Sequence, residues 1–510
     1  MGAVLGGRPT GAAAVLVLAV LASACGGVTG THGAHRARHP SDSTTTSSTT
    51  TTTTPGPPIT PVSWAPCQDG LQCGSVAVPL DYFVTDSPTV EIAVARHPAE
   101  DPAARIGSVV INPGGPGGSG IDDLPSELSV LTSGLLQHFD IVSFDPRGVD
   151  RSSPVTCGES GSVADQGLIP DPAPTTPAGQ HTLLADDQDY AQQCEKASGG
   201  LLPFLGTVDV ARDLDRIRVA LGDPRLTYIG HSYGTLLGLT YAQMFPTHVR
   251  AMVLDGVIDP AVSAEQMVTD QAVGFENILN QFFSWCRSSG CAWQEGADPL
   301  QSLLSLNSKL VSSPIPAGSG RQAGPGELLT AVLSALYTPS GWPRLATALA
   351  RAEGGDGAQL VSMTDAYNTE NGPNAVDADN AVSCLDQPAP RDVTAYPQLA
   401  SGVGAQAPFF GPALMWGLLQ CSVWATPPSR TPTPVTAQGA PPILLVSSSG
   451  DPATPHQWAE SVESELAHAA LVTWQGSSHV AYYYSACVRS IDQAYVLDGT
   501  LPANGTVCSD

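Results

Sequence analysis

Lysine is nearly absent from this chain: its 510 residues hold two, Lys196 and Lys309. Charge of any kind is scarce, at 13% of residues, and it is unbalanced, with 47 acidic against 21 basic side chains and a net charge of −26. So acidic a chain repels phosphate backbones and anionic headgroups, which argues against nucleic acid or an anionic membrane surface as a partner. Ala, Gly and Pro are plentiful where Lys is missing, a combination that reads as codon bias in a GC-rich genome. Long apolar runs are lacking too, since none reaches the ~18 residues of a membrane-spanning helix. No Cys-x-x-Cys pair has a second pair nearby, so no metal site is expected, and no cofactor is implied.

What is present begins with an export signal. Arg8 is the sole charge before the apolar run Ala12 to Leu21, which ends in Ala22-Ser23-Ala24-Cys25. The run is too short to span a membrane and reads as a signal peptide over 1–24. Its end resembles a bacterial lipobox with Cys25 as the lipidated residue, although Ala22 stands where Leu is usual; simple secretion is the alternative. Residues 25–62 read as a stalk. Ser41 to Thr54 is nearly all Ser and Thr, and Pro55-Gly56-Pro57-Pro58 follows, a composition without apolar partners for a core. The expected location is therefore the cell envelope or the exterior, on the outer face of the plasma membrane if Cys25 carries lipid. Of eleven cysteines, ten remain once Cys25 is set aside: Cys67, Cys73, Cys157, Cys194, Cys286, Cys291, Cys384, Cys421, Cys487 and Cys508. An even set in an exported chain reads as disulfides. The spacing leaves connectivity open, and pairing of neighbours in order is the expectation.

Folded sequence begins near Trp64. Ser75–Leu80 and Val90–Ala95 alternate as two antiparallel strands. Ser108–Ile111, Phe139–Phe144, Leu226–Ile229 and Ala251–Leu254 are short apolar runs of the buried-strand kind. Thr207–Arg218 has helical spacing, with Val208, Ala211, Leu214 and Ile217 on one face. Residues 153–205, polar and Pro-rich, read as a surface excursion. Strand alternating with helix predicts a mostly parallel, doubly wound α/β sheet. The rhythm stops at about residue 261, gives way to helical segments, and returns at Pro442–Ser447 and Leu471–Trp474. The expected division is an N-terminal core part (63–260), a mainly helical cap inserted after the sixth strand (261–400) and a C-terminal core part (401–510).

The chemistry centres on Gly230-His231-Ser232-Tyr233-Gly234. Strand, Gly-x-Ser-x-Gly turn and helix in that order form the nucleophile elbow of an α/β-hydrolase. The third strand runs into Asn112-Pro113-Gly114-Gly115-Pro116-Gly117-Gly118-Ser119-Gly120. There Gly114 and Gly115 would offer one N–H of an oxyanion hole, and Tyr233 the other. An activated Ser needs a base, and the base an orienting acid, in the chain order Ser, acid, His. Asp451 follows one late strand and His479 the other, so Ser232, Asp451 and His479 are the expected triad. Asp255, also at a strand end, is the rival acid. His456 reads as a surface residue, His231 as structural, Thr454 as a hydrogen-bond donor near Asp451 or a helix cap, and Cys384 as disulfide-bonded. Asp145 and Arg147 read as loop braces.

Six motifs in sequence order extend this reading. They are Asn112–Gly120, Phe-Asp-Pro-Arg-Gly-Val (144–149), Gly-His-Ser-Tyr-Gly-Thr-x-Leu-Gly (230–238), Leu-Asp-Gly-Val-x-Asp-Pro (254–260), Ala-Val-Ser-Cys-Leu-Asp (381–386) and Gly-Asp-Pro-x-Thr-Pro (450–455). Together they resemble the exported tripeptidyl aminopeptidase-like serine hydrolases, relatives of the prolyl iminopeptidases, over residues 64–508. The resemblance implies the same triad and hydrolysis of peptides from a free N-terminus, or of esters. Asp150 departs from it, standing where Gly is usual. Residues binding the substrate ammonium cannot be matched; Glu265, Asp270, Glu276 and Asp365 are the acidic cap candidates. A carboxylesterase or lipase on the same triad is the second reading, and a non-catalytic cell-surface binding protein the third. A long apolar groove would favour the lipase.

Overall fold

The structure, a computed structural model, describes residues 56–158, 168–293, 296–369, 372–503 and 505–510. The export signal, Cys25 and most of the stalk lie outside them. Twelve strands follow one another among the described residues: β1 (Ala65–Pro66), β2 (Gln72–Pro79), β3 (Thr89–His97), β4 (Gly107–Asn112), β5 (Phe139–Phe144), β6 (Leu226–His231), β7 (Val249–Asp255), β8 (Ile315–Gly318), β9 (Arg321–Ala323), β10 (Ile443–Ser448), β11 (Ala469–Trp474) and β12 (Thr506–Cys508). Ten of them form one sheet in the order β1-β2-β3-β5-β4-β6-β7-β10-β11-β12. In this sheet β1 to β3 run antiparallel to their neighbours, and β5, β4, β6, β7, β10, β11 and β12 are parallel to one another.

Every residue of β4, β5, β6 and β10 is buried. That is the pattern of strands covered on both faces. Alternate residues divide between two cores. Val110, Val142, Tyr228 and Leu254 pack with the helix Thr207–Ala220, and Val109, Ile111, Ile141 and Ile229 pack with the helices Gly120–Val130 and Ala486–Asp498. The chain leaves β4 for β5 on one side and returns to β6 on the other, so a crevice opens at the carboxyl ends of β4 and β6. Ligand sites of open α/β sheets lie at such switch points. The chain belongs in the α/β-hydrolase fold class that the strand rhythm predicts.

Between β7 and β10 the chain builds the helical layer, whose only strands among the described residues are the short hairpin β8–β9. Its core includes Phe275, Phe282, Trp293, Trp342, Tyr337 and Phe410. The layer extends past residue 400: Gly411–Trp416 and Leu419–Ser422 are helical, and Trp416, Leu419, Cys421 and Trp424 belong to the same core. Gly, Pro and short helices in this stretch hide that continuity from a reading of periodicity. The expected surface excursion also changes character. Pro177–Ser198 is a 22-residue helix whose Ala191 and Cys194 pack into the helical layer's core. Its mostly polar sequence leaves a buried stripe too narrow to read. The structure joins Cys67–Cys73, Cys157–Cys194, Cys286–Cys291, Cys384–Cys421 and Cys487–Cys508. No described helix is long and apolar enough to cross a membrane.

One buried group weakens the core. Asp492, on the helix Ala486–Asp498, is 0% exposed, and neither carboxylate oxygen has a partner among the described residues. Burial raises its pKa well above the carboxylate range, Asp255 adds to the rise, and His231 opposes it. The folded state therefore holds a proton that the unfolded chain releases, and stability contributed by that proton is lost as pH rises from the unfolded value. Asp492→Asn keeps the shape without the ionisation. It should raise stability near neutral pH by up to about 1.4 kcal/mol for each pH unit above the unfolded carboxyl pKa, and leave it unchanged below about pH 4. Denaturant unfolding at the two pH values checks this; equal effects at both would rule out ionisation as the cause.

Candidate active site

The elbow is shaped by what crowds it. β6 ends at His231, and Ser232 takes φ 53° and ψ −121° before the helix Tyr233–Met244 begins. An L-residue adopts such a conformation only under constraint. The constraint is visible: the Ser232 N–H donates to the Asp255 carbonyl at 2.9 Å, and Thr235 Oγ1 donates to the Ser232 carbonyl at 2.6 Å. A Cβ on Gly230 would lie 2.4 Å from the Gly234 carbonyl oxygen, and one on Gly234 2.5 Å from the Asn112 carbonyl oxygen. Both motif glycines are thus demanded by close backbone approach.

The loop after β4 presses directly on this turn. A Cβ on Gly114 would sit 3.0 Å from Ser232 Cβ and 3.2 Å from the Tyr233 nitrogen. The Gly114 N–H donates to Asn112 Oδ1 at 3.2 Å, so it is committed to shaping the loop and is not a free oxyanion donor. This corrects the sequence expectation for Gly114. The Gly115 and Tyr233 N–H groups have no acceptor among the described residues, as an oxyanion hole requires.

Asp451 and His479 meet at the ends of β10 and β11. His479 Nδ1 lies 2.9 Å from both Asp451 oxygens. The Asp451 side chain is 0% exposed and that of His479 4%. Asp451 Oδ1 also accepts the Ala453 and Thr454 N–H groups at 2.9 Å. Thr454 Oγ1 donates to Oδ2 at 2.9 Å. Thr454 is therefore a partner of Asp451, and Pro455 takes the position that caps the helix His456–Glu465. Ser232 Oγ and His479 Nε2 are both buried without a partner among the described residues.

The other candidates are occupied elsewhere. Asp255 is buried, and its carboxylate accepts the Ala481 and Tyr482 N–H groups at 3.1 and 2.7 Å, so it does not hold the His479 imidazole. His231 Nδ1 lies 3.0 Å from Tyr483 Oη and 3.3 Å from Glu127 Oε1. Burial favours its neutral form, but Glu127, joined by Asp255 and Asp123, raises its pKa. His456 faces Glu460 at 3.7 Å, and Cys384 is disulfide-bonded. Asp145 accepts Ser119 Oγ at 2.6 Å, and the buried Arg147 pairs with Asp213 at 2.6 Å. Asp150 has φ 36°, which explains a usual Gly there and suits Asp better than most side chains.

The cap is bonded to the base and acid loops. The His479 N–H donates to the Tyr337 carbonyl at 3.0 Å, and Gln271 Nε2 donates to the Ala453 carbonyl at 2.8 Å. The acidic cap candidates are mostly engaged. Asp270 accepts Trp458 Nε1 at 2.8 Å, Asp365 pairs with Arg321 at 2.5 Å, and Glu276 accepts the Phe409 N–H at 3.1 Å. Glu265 lies in the first turn of the helix Ala264–Ser289.

Sequence reasoning missed Asp379. It lies on the helix Ala375–Asp386, which seats on the oxyanion loop: a Cβ on Gly117 would be 2.6 Å from the Asp379 nitrogen. Asp379 Oδ1 has no partner among the described residues. Burial raises its pKa well above the carboxylate range, a hydrogen bond with the Ser383 side chain opposes the rise, and no cation offsets it. The only sequence signal was its place just ahead of the 381–386 motif.

A strained serine at an elbow, free N–H groups beside it and a carboxylate-held histidine define a serine hydrolase. The chain belongs to the α/β-hydrolase fold family, whose family model matches residues 107–486, and it is a serine hydrolase. It is 33% identical over 477 residues to Serine protease Hip1 of Mycobacterium tuberculosis (strain ATCC 25618 / H37Rv), covering 88% of this chain and 91% of that protein. It is 35% identical over 469 residues to Carboxylesterase B of the same strain, covering 88% and 90%. It is also 32% identical over 458 residues to Tripeptidyl aminopeptidase of Streptomyces lividans, covering 86% and 84%.

Proposed function

We propose that this protein is an exported serine peptidase that releases short peptides from a free N-terminus through an acyl-enzyme. The observation that carries the reading is the Asp451–His479 pair, whose Nε2 is left unpartnered in a site that also buries an unpartnered Ser232 Oγ. Ser232 attacks the scissile carbonyl, and His479 takes its proton and returns it to the leaving amine. Asp451 holds the tautomer and stabilises the imidazolium. The Tyr233 and Gly115 N–H groups hold the oxyanion. Water then hydrolyses the ester at Ser232 by the same proton path.

Asp379 supports the aminopeptidase part. A buried acid on the helix seated against the oxyanion loop, held neutral by burial with no cation beside it, suits the ammonium of a substrate N-terminus, and the names of two relatives point to peptides. A carboxylesterase is the competing reading, favoured by the third relative.

One substrate set separates them: a tripeptide amide with a free N-terminus, its N-acetylated form and a short-chain ester. The free peptide should exceed the blocked one by about 10–100-fold in kcat/KM, the worth of a charge-assisted hydrogen bond. Asp379→Asn should remove most of that preference. Preference for the blocked peptide would count against an aminopeptidase, and turnover of the ester alone would leave an esterase.

A further inference from the structure

The base-bearing segment is tied to the nucleophile-bearing one through two adjacent strand ends. His231 and Asp255 are register partners at the ends of β6 and β7. Asp255 holds Ser232 through its carbonyl, which accepts the Ser232 N–H at 2.9 Å. Its carboxylate reaches the other way, to the Ala481 and Tyr482 N–H groups at 3.1 and 2.7 Å. These are the second and third residues after His479. The second tie runs through His231, the residue before Ser232. Its Nδ1 lies 3.0 Å from Tyr483 Oη, and Tyr483 Oη donates to Glu127 Oε1.

The segment they hold needs holding. Val480, between His479 and the tied residues, has φ 62°, a conformation a β-branched residue adopts only when its surroundings impose it. Asp451 fixes the His479 imidazole at Nδ1, which sets its tautomer and leaves the position of the backbone beneath it to other contacts.

We propose that Asp255 and the His231–Tyr483–Glu127 group form a two-armed clamp that sets the separation of Ser232 from His479, making Asp255 and Tyr483 positioning residues for proton transfer. This rests on reading Ser232 as nucleophile and His479 as base. A misplacement of about 1 Å from remote changes can cost ~100-fold in rate, so small relaxations at residues 480–483 reach the chemistry.

The test compares Asp255→Asn, Tyr483→Phe and the double variant with wild type and Ser232→Ala, on one peptide and one ester. Asp255→Asn places an amide N–H opposite a backbone N–H and breaks one arm. Tyr483→Phe keeps the ring and loses the phenol contacts of the other. With kcat taken per folded molecule, from near-UV circular dichroism, each single variant should lose about 10–100-fold in kcat with KM within twofold. The double variant should depart from additivity, because both arms act on one distance. Asp255→Glu should recover part of the loss. Should Asp255→Asn fail to fold, Tyr483→Phe decides by the same readout. Lower thermal stability with kcat per folded molecule unchanged would make these residues merely structural and overturn the clamp. Turnover within tenfold of wild type in Ser232→Ala would instead overturn the reading of the site on which it rests.

Discussion

Ser232→Ala should lower kcat on peptides and esters together by about 10⁵–10⁶-fold, the scale seen when the nucleophile of a serine hydrolase is removed. Both activities must fall, because one hydroxyl forms the acyl-enzyme for either substrate. Ser232 Oγ has no partner among the described residues, so its removal breaks no hydrogen bond. The turn is held through the backbone, by the Asp255 carbonyl, and by Thr235. Thermal stability should therefore stay close to wild type. Some catalysis above the uncatalysed rate should survive, because the oxyanion donors and substrate binding remain. Steady-state kinetics with a thermal melt checks both halves. Turnover within tenfold of wild type would take Ser232 out of the mechanism.

Asp451→Asn should cost about 10⁴-fold in kcat. Both Asp451 oxygens act only as acceptors here, from His479, from the Ala453 and Thr454 N–H groups and from Thr454 Oγ1. An amide places two donors in that ring. Either a backbone N–H faces another N–H, or His479 Nδ1 faces one and must become the acceptor. Nε2 then carries the proton and cannot take one from Ser232. The comparison with Asp255→Asn is informative, since both acids end a strand beside the site. The loss at Asp451 should exceed that at Asp255 by about 100-fold or more, because the second acts on position and the first on tautomer and charge. The reverse order would exchange their roles. Kinetics on the same ester for both variants settles the order.

Much of the site could be read along the chain, for a local reason. Crowding at Gly230 and Gly234 is imposed by residues within the strand, the turn and one neighbouring loop, so the elbow motif is written in a few consecutive positions. The order of strands, the three chemical residue types and the Gly-rich loop are also one-dimensional signals. Gly114 was misassigned because Gly114 and Gly115 are indistinguishable as letters. Only the bond from Gly114 to Asn112 Oδ1 separates the committed N–H from the free one. Asp255 was a plausible acid because every strand of a parallel sheet ends on the same edge. Which carboxylate reaches the imidazole depends on the path of the loop after β11, and that loop turns the Ala481 and Tyr482 N–H groups to Asp255 and the imidazole to Asp451.

The helical layer was the least legible part. Its helices bury narrow stripes against one another, so periodicity marks helices without saying what each one faces. Pro177–Ser198 reads as polar surface until its contacts with the layer are seen. Asp379 is one acid among many in a chain of −26, and only its seat against Gly117 sets it apart.

Local sterics and strand rhythm make the fold class and the Gly-x-Ser-x-Gly turn legible along the chain, and they point to a serine, an acid and a histidine in the order that such a fold would use. Tertiary structure alone decided which N–H groups are free, which of two strand-end carboxylates meets the histidine, and which cap acid comes to the oxyanion loop. Those choices rest on contacts whose separation along the chain runs from 2 residues (Gly114 to Asn112) through 28 (Asp451 to His479) to 226 (Asp255 to Ala481), and the deciding quantity is an ångström-scale distance that no spacing along the chain encodes.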